Sequence, residues 1–217
     1  MNTNGNLAAP LGALALLGTA FLFLVTAIAL VQSLVVRRRT RAKVIVLLML
    51  ILAGGYLAAM LIFSLSSQEK VLARGQEKHF CELDCHLAYS IVATRQAKQL
   101  DGANPLTAQD QFTIITVKTR FDESTISPGR GDGLLYPNGR VVTLIDDSGN
   151  RYSPVTQTGT SMTAPLRPGE SYTTDVAFEL PSSAKPASLT VNESAWDTRL
   201  VIGHENSPLH KKTRFQV

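Results

Sequence analysis

Two long apolar stretches occupy most of the first third of the chain. No Asp, Glu, Lys or Arg occurs between residues 11 and 36, or between residues 44 and 65. Each stretch exceeds the roughly 18–20 apolar residues that cross the hydrocarbon core of a bilayer as a helix. Because backbone amides in lipid must pair within their own segment, both stretches are predicted to be transmembrane helices. The pattern therefore predicts a transmembrane helical hairpin over residues 1–65.

After the second stretch, apolar and polar positions alternate with a period of two, which is typical of β-strands with one buried face. We expect the polar residues 66–86 to form a juxtamembrane connector and residues 87–217 to form a β-sandwich domain. Turns rich in Pro, Gly and Asn separate many short strands, as in a sandwich. The predicted strands lie around residues 115–121, 140–146, 151–152, 172–180, 189–191, 200–202 and 215–217.

Three runs in the later half of this domain carry a resemblance to a known family. Residues 166–171 read Leu-Arg-Pro-Gly-Glu-Ser, a strand then ends in Phe-Glu-Leu-Pro at 178–181, and Ser-Leu-Thr-Val follows at 188–191. This order resembles the DUF4352-type extracellular domains, which are lipid- or membrane-anchored bacterial sandwiches. The resemblance implies an all-β immunoglobulin-like sandwich on a membrane anchor, and it implies no particular activity.

The distribution of charge predicts the orientation in the membrane. Five basic residues lie within positions 37–43, between the two apolar stretches. A short basic loop stays in the cytoplasm by the positive-inside rule, so the C-terminal domain should lie in the periplasm or outside a bacterial inner (plasma) membrane. The same loop supplies much of the basic excess behind the sequence pI of about 9.2, so we expect no nucleic-acid partner. No basic residue precedes the first stretch, which disfavours a cleaved signal peptide.

Small residues in the predicted helices allow close helix packing. Gly12 and Gly18 lie in the first stretch, and Gly54 and Gly55 lie one turn before an Ala-Ala pair in the second. Small residues at such spacing let two helices approach closely. They are consistent with a packed hairpin within the chain and with a docking face for another membrane subunit.

Residues with metal or redox chemistry are concentrated in positions 79–86. This segment holds both cysteines of the chain, Cys81 and Cys85, together with His79 and His86. In an oxidising compartment a Cys81–Cys85 disulfide is one interpretation, although it would close only a small loop. A copper or zinc site using Cys81, Cys85, His86 and His79 is another, since thiolates and imidazoles suit these metals. Both interpretations remain open from the sequence.

Two resemblances bear on this segment. The layout is similar to subunit II of the haem–copper oxidases, with two N-terminal helices, an outward-facing sandwich and a Cys-x-x-x-Cys copper motif matched by Cys81 and Cys85. In that family the motif lies late in the sandwich and a histidine stands where this chain has Tyr89, so a binuclear centre is not implied. Residues 81–86 also resemble a stretched Cys-x-x-Cys-His haem-attachment motif, which would make His86 the axial ligand of a c-type haem.

The remaining candidate residues have structural explanations. His204 and His210 lie in a polar loop before the last strand. The loop could fold back to add a ligand, but we expect it to be solvated or its Asn and Glu side chains to stabilise turns. Trp196, the one tryptophan, is expected to pack against the sandwich.

The sequence predicts a protein without enzymatic activity. It contains no Walker loop, no Gly-x-Ser-x-Gly and no His-Glu-x-x-His. We expect a non-enzymatic interaction module or accessory subunit that contacts the lipid bilayer and another membrane protein or respiratory complex. A copper-binding or redox protein at the outer membrane surface is the alternative.

Overall fold

The computed structural model describes residues 8–80, 86–100, 105–125 and 131–217. The chain divides into two compact units. One, here called the sandwich unit, contains Glu69–Ala195 and Lys212–Val217. The other, the helical unit, contains the two N-terminal helices and the segment Trp196–Lys211, called the β9–β10 segment below.

The helical unit confirms that both apolar stretches are helices. Helix α1 spans Ala8–Val35 and α2 spans Arg39–Ser66. The turn between them is tight: the N–H of Arg38 donates to the Ser33 carbonyl at 2.8 Å and the N–H of Arg37 donates to the Leu34 carbonyl at 3.0 Å. Arg37 has φ 55, the left-handed conformation that usually ends a helix in this paired-bond pattern. Arg37 and Arg38 of the predicted basic loop therefore form a compact helix–helix turn, and the basic residues from Arg39 onward begin α2.

Ten strands in two five-stranded sheets form the sandwich unit. The first sheet has the order β1-β10-β9-β5-β6 and the second has the order β2-β3-β4-β8-β7. Strand β1 runs parallel to β10, and the other pairings are antiparallel, so the sandwich is mixed. The strands are β1 Lys70–Leu72, β2 Lys78–Phe80, β3 Leu87–Leu100, β4 Leu106–Phe121, β5 Arg140–Asp146, β6 Arg151–Tyr152, β7 Thr156–Gly159, β8 Ser171–Leu180, β9 Pro186–Glu193 and β10 Thr213–Gln216.

The core consists of alternating side chains from both sheets. On β4, Ile115, Val117 and Phe121 are buried and point to one face, as the period of two predicts. They join Leu144 of β5 and other apolar residues of the first sheet in one hydrophobic cluster. The sandwich prediction is therefore confirmed, and the strands predicted at residues 140–146 and 151–152 pair as a hairpin.

Three expectations need correction. Residues 66–86 were expected to form a connector, but they contain β1 and β2, which pair with β10 and β3. These strands have three residues each, too few to show a period in the sequence. The strand expected at residues 200–202 is wrong, because a 3-10 helix, Asp197–Leu200, ends there and turns follow. Trp196, for which we expect burial by packing, is instead 72% exposed.

Candidate functional site

The segment that holds both cysteines connects two paired strands. Phe80, the last residue of β2, is the Cα partner of Leu87, the first residue of β3. The two ends of the connection are therefore held side by side in an antiparallel ladder. Cys81 and Cys85 lie outside the described residues, so the disulfide and the metal site predicted for them stay predictions.

His79 lies among carboxylates on β2. Its Nε2 is 3.0 Å from Oδ2 of Asp122 and 4.0 Å from Oε2 of Glu77. The side chain of His79 is 12% exposed and that of Asp122 is 7% exposed. One of the two ring nitrogens of His79 is thus engaged by a nearby carboxylate.

His86 has different surroundings. It is buried, and its ring stacks on Phe121 with centroids 5.2 Å apart and an interplanar angle of 26°. Its backbone carbonyl accepts a hydrogen bond of 2.7 Å from the N–H of Asp122. His86 therefore packs against the start of the β4–β5 connection.

Arg120 links the acidic residues around His79. In the strand register Ala88 stands between His79 and Arg120, pairing with both. Because Ala88 has a small side chain, the long side chains on either side of it can reach the same two carboxylates. The Arg120 guanidinium donates from Nε and Nη2 to the two oxygens of Glu77, each at 2.7 Å, and from Nη1 to Oδ1 of Asp122 at 3.4 Å.

The ionisation of this cluster follows from those contacts. The hydrogen bonds and charge of Arg120 lower the pKa of Glu77, and the same pairing raises the pKa of Arg120. Burial would raise the pKa of Asp122, but hydrogen bonds from Ser124 and His79, together with the Arg120 charge, hold that pKa at about 2. The Ser124 hydroxyl and N–H both donate to Oδ1 of Asp122, at 2.7 and 3.1 Å. Both carboxyls are therefore ionised at neutral pH.

This arrangement favours a structural role for the cluster. Both oxygens of Glu77 are bound by a permanently charged guanidinium, which also repels cations. Within residues 8–80, 86–100, 105–125 and 131–217, no group of three His, Cys, Asp or Glu side chains could hold a metal ion. The contacts of Arg120 with Glu77 therefore join the end of β2 to β4 across β3.

A second charged cluster lies inside the sandwich, where the sequence analysis predicted none. Arg140 opens β5 with a fully buried side chain, and its Nη1 is 3.5 Å from Oε1 of Glu193. Its guanidinium carbon lies 4.2 Å from the centroid of the Phe80 ring. Lys78 is also buried, and its Nζ donates to the Val191 carbonyl at 2.7 Å. These contacts connect the two sheets at one end of the core.

The surface of the helical unit is the second candidate site. Large apolar side chains point outward along both helices, among them Phe21 at 64% and Ile51 at 61% exposed. A Cβ added at Gly18, Gly54 or Gly55 would meet no atom of the described chain within 4 Å. These glycines therefore do not serve packing within the hairpin.

Gly12 differs from the other glycines of α1 and α2. A Cβ at this position would overlap the backbone carbonyl oxygen of Ile202 in the β9–β10 segment. The Tyr56 hydroxyl donates to the Leu200 carbonyl at 2.6 Å, and the N–H of Lys211 donates to the Ser67 hydroxyl at 2.8 Å. The segment thus packs on both helices.

The predicted turn role of the polar loop is confirmed for Asn206. Its N–H donates to Nδ1 of His204 at 3.0 Å, and its side-chain amide donates to the Thr198 hydroxyl at 2.9 Å. His210 has its Nδ1 2.8 Å from the carbonyl of Lys211, the residue that follows it. Both histidines are therefore engaged in local contacts of the β9–β10 segment.

Comparisons with known proteins find distantly similar solved structures. No protein-family model matches the sequence, and no curated protein matches it. Among solved structures, the secreted protein MPT63 from Mycobacterium tuberculosis is similar, with a TM-score of 0.46 and 13% identity over 70% of this chain and 100% of that chain. An uncharacterized beta-sandwich protein from Clostridium difficile 630 has a TM-score of 0.43 and 10% identity, covering 70% of this chain and 96% of that one. A conserved hypothetical protein from Bacillus anthracis has a TM-score of 0.39 and 12% identity over 55% of this chain and 89% of that one.

Proposed function

We propose that this chain is a membrane-anchored β-sandwich protein that acts outside the cytoplasm as a non-enzymatic interaction module or accessory subunit. The two helices insert into the bilayer as a hairpin. The basic residues within positions 37–43 stay on the cytoplasmic side. The sandwich unit then lies in the periplasm or outside a bacterial inner (plasma) membrane.

The observation that carries this proposal is the outward-facing apolar surface of the helices. Candidate spans Leu11–Val35 and Arg39–Ser66 have a mean hydropathy of 2.6 each, yet 0% and 6% of their most apolar windows are buried. A helix from the core of a soluble protein would bury these side chains, because exposed apolar surface costs roughly 25 cal/mol per Å² in water. Lipid is the solvent that accepts such a surface on all sides.

Two glycines of α2 that do not pack against other parts of the described chain support the interaction role. Gly54 and Gly55 are exposed on α2, and nothing within the described chain approaches them. Small residues on a lipid-facing surface let a second helix pack closely, which is a common way for membrane subunits to associate. We propose another membrane protein, such as a respiratory complex, as the partner of this surface.

The alternative is a copper-binding or redox protein that uses Cys81 and Cys85. A site that also used His79 would bind the metal through Nδ1, because Nε2 contacts Asp122. The immunoglobulin-like, DUF4352-type identity of the sandwich likewise stays a proposal, supported by two packed five-stranded sheets.

Cysteine labelling in intact cells tests the anchoring and the orientation. In a background with Cys81→Ser and Cys85→Ser, one variant carries Ser148→Cys in an exposed turn of the sandwich unit, and its matched control carries Thr40→Cys near the basic turn. A membrane-impermeant maleimide should label the first variant from outside and the second only after the membrane is breached. The reverse pattern, or labelling of both from outside, would contradict the proposed topology.

Association is tested in native membranes. Gly54→Leu combined with Gly55→Leu should shift the chain from a larger complex to a smaller one on a native gel, because the added side chains block close helix approach. Ile51→Leu on the same helix is the matched control and should leave the complex intact. Identical migration of all three proteins would count against a glycine-mediated interface.

A further inference from the structure

The β9–β10 segment is an insertion between two neighbouring strands of one sheet that belongs to the helical unit. Its neighbours β9 and β10 pair in the sandwich unit, whereas Trp196–Lys211 groups with the helices. The sandwich does not need so long a connection, since two antiparallel strands can be joined by a short turn. The segment therefore has a role beyond joining the strands.

Its contacts lie within the proposed membrane spans. Gly12, which meets the Ile202 carbonyl, is four residues after the start of α1, or about 6 Å along the axis. Tyr56, which binds the Leu200 carbonyl, is ten residues before the end of α2, or about 15 Å along the axis. The segment thus lies alongside the outer turns of the hairpin rather than beyond its ends.

The backbone of the segment is suited to a poorly hydrated place. A series of N–H groups each donates to the carbonyl three residues earlier, so the chain folds into consecutive tight turns. Such internal pairing is what a backbone near lipid requires. The five bonds run from Arg199 to Trp196, Val201 to Thr198, His204 to Val201, Ser207 to His204 and His210 to Ser207.

Its outward side chains are those favoured at a membrane surface. Trp196 is 72% exposed, Leu200 43% and Leu209 68%. Leu209 also has φ 64, a left-handed conformation that is unfavourable for a non-glycine residue. Exposed Arg199 and Lys211 accompany them and can reach lipid phosphates, while tryptophan is enriched at the boundary of headgroups and acyl chains.

We propose that the β9–β10 segment is seated in the outer leaflet of the bilayer, with Trp196, Leu200 and Leu209 in contact with lipid at the headgroup–acyl boundary. This inference rests on the proposed membrane anchoring. It adds a third membrane contact, separate in sequence from the two helices. Through this contact, the β9–β10 connection of the sandwich is fixed at the membrane surface.

Trp196 is the single tryptophan of the chain, so its fluorescence reports on this segment alone. The full chain is reconstituted in vesicles of phosphatidylcholine with some phosphatidylglycerol. We expect a blue-shifted emission and loss of most of its intensity with lipids brominated near the headgroup end of the acyl chain. Lipids brominated near the chain terminus should quench less, and aqueous iodide should quench weakly.

The matched control moves the reporter into the sandwich unit. Tyr136 is 69% exposed, close to the exposure of Trp196, so Trp196→Phe with Tyr136→Trp gives a single-tryptophan protein of similar intrinsic accessibility. This variant should be quenched by iodide and not by brominated lipid. Equal lipid quenching of both proteins would overturn the assignment of the contact to the β9–β10 segment.

The other outcomes also decide the question. Full quenching of Trp196 by iodide, with none by brominated lipid, would overturn the proposal. Protection from iodide without lipid quenching would mean that a second copy or another protein covers the segment, and would overturn it as well. If the chain failed to float with the vesicles, the membrane anchoring itself would be wrong, so failures of the two proposals are distinguishable.

Discussion

Arg140 on β5 donates a hydrogen bond from Nε to the hydroxyl of Tyr89 on β3, 3.2 Å away, and thereby joins the two sheets inside the sandwich. The same guanidinium contacts the Phe80 ring and lies near the carboxylate of Glu193. A charge in such a place is tolerated only when nearby groups compensate it. The stability of the sandwich therefore depends on Glu193.

Replacing Glu193 by alanine should destabilise the sandwich by about 3 kcal/mol, because the buried Arg140 charge loses its carboxylate. The measurement is the thermal unfolding midpoint of the full chain in detergent, followed by β-sheet circular dichroism. Arg95→Ala is the control: Arg95 pairs with Asp175 at 3.1 Å but is 57% exposed, so its loss should cost less than about 1 kcal/mol. Equal losses of stability in the two variants would contradict the larger contribution expected for the buried Arg140–Glu193 pair.

The carboxylates of Glu77 and Asp122, at the ends of β2 and β4, predict that the stability of the fold depends on pH. The pKa of Asp122 is about 2 when folded, against an ordinary value of 3.8, so ionised Asp122 stabilises the fold by about 2 kcal/mol at neutral pH. Because the folded pKa is the lower one, this contribution is present above pH 3.8 and is lost as the pH falls through about 2.

Asp122→Asn should therefore lower the thermal unfolding midpoint at pH 7. The difference in midpoint from the unmodified chain should shrink between pH 4 and pH 2, because the pKa of Asp122 is 3.8 in the unfolded chain and about 2 in the folded one. Asp147→Asn, in an exposed turn, is the control and should have little effect at either pH. A difference that persists unchanged at pH 2 would contradict the assigned ionisation of Asp122.

The cysteine pair should contribute little to stability. The pairing of Phe80 with Leu87 already holds the ends of the connection together, so a Cys81–Cys85 bond would remove little additional chain entropy. Reduction of the full chain should shift the unfolding midpoint only slightly, while a thiol assay should detect no thiol before reduction and two afterwards.

Metal analysis of the same preparation addresses the alternative function. Stoichiometric copper that is lost in Cys81→Ser would support the copper proposal and contradict the disulfide. His204→Ala is the control, because His204 contacts Asn206 within the β9–β10 segment. Haem absorbance in the purified chain would instead support the stretched attachment motif.

Sequence patterns predicted both helices and several strands, but not β3, Leu87–Leu100, although it has 14 residues. The first five residues of β3 are all buried, so burial does not alternate along this part of the strand. The absence of charge over two stretches identified α1 and α2, and the alternation of Ile115, Val117 and Phe121 identified β4. The short strands β1 and β2 were missed because their position is decided by distant partners, such as Thr213 for Lys70.

The charged clusters could not be predicted for a related reason. Glu77 and Arg120 are 43 positions apart in the sequence, and only the β2–β3–β4 register brings them together. Lys78 fell in the predicted connector and Arg140 in the predicted strand at residues 140–146, and no sequence pattern assigned either side chain to the interior. Arg140 directly precedes the apolar run Val-Val, which is a sequence feature that points to its burial. The sequence does not specify which residue would compensate the buried charge.

The last prediction concerns the contact between α1 and the β9–β10 segment. Gly12→Ala should loosen the segment, because the new Cβ would overlap the backbone carbonyl of Ile202, and a backbone atom cannot rotate away as a side chain can. Gly18→Ala is the matched control on the same helix, where a Cβ meets nothing within 4 Å of the described chain. Alanine favours a helix over glycine by about 1 kcal/mol, so the control should be neutral or slightly stabilising. Hydrogen exchange of the full chain in detergent should be faster across Trp196–Lys211 in Gly12→Ala and unchanged in Gly18→Ala. Unchanged exchange in both variants would contradict the close packing of the segment on α1.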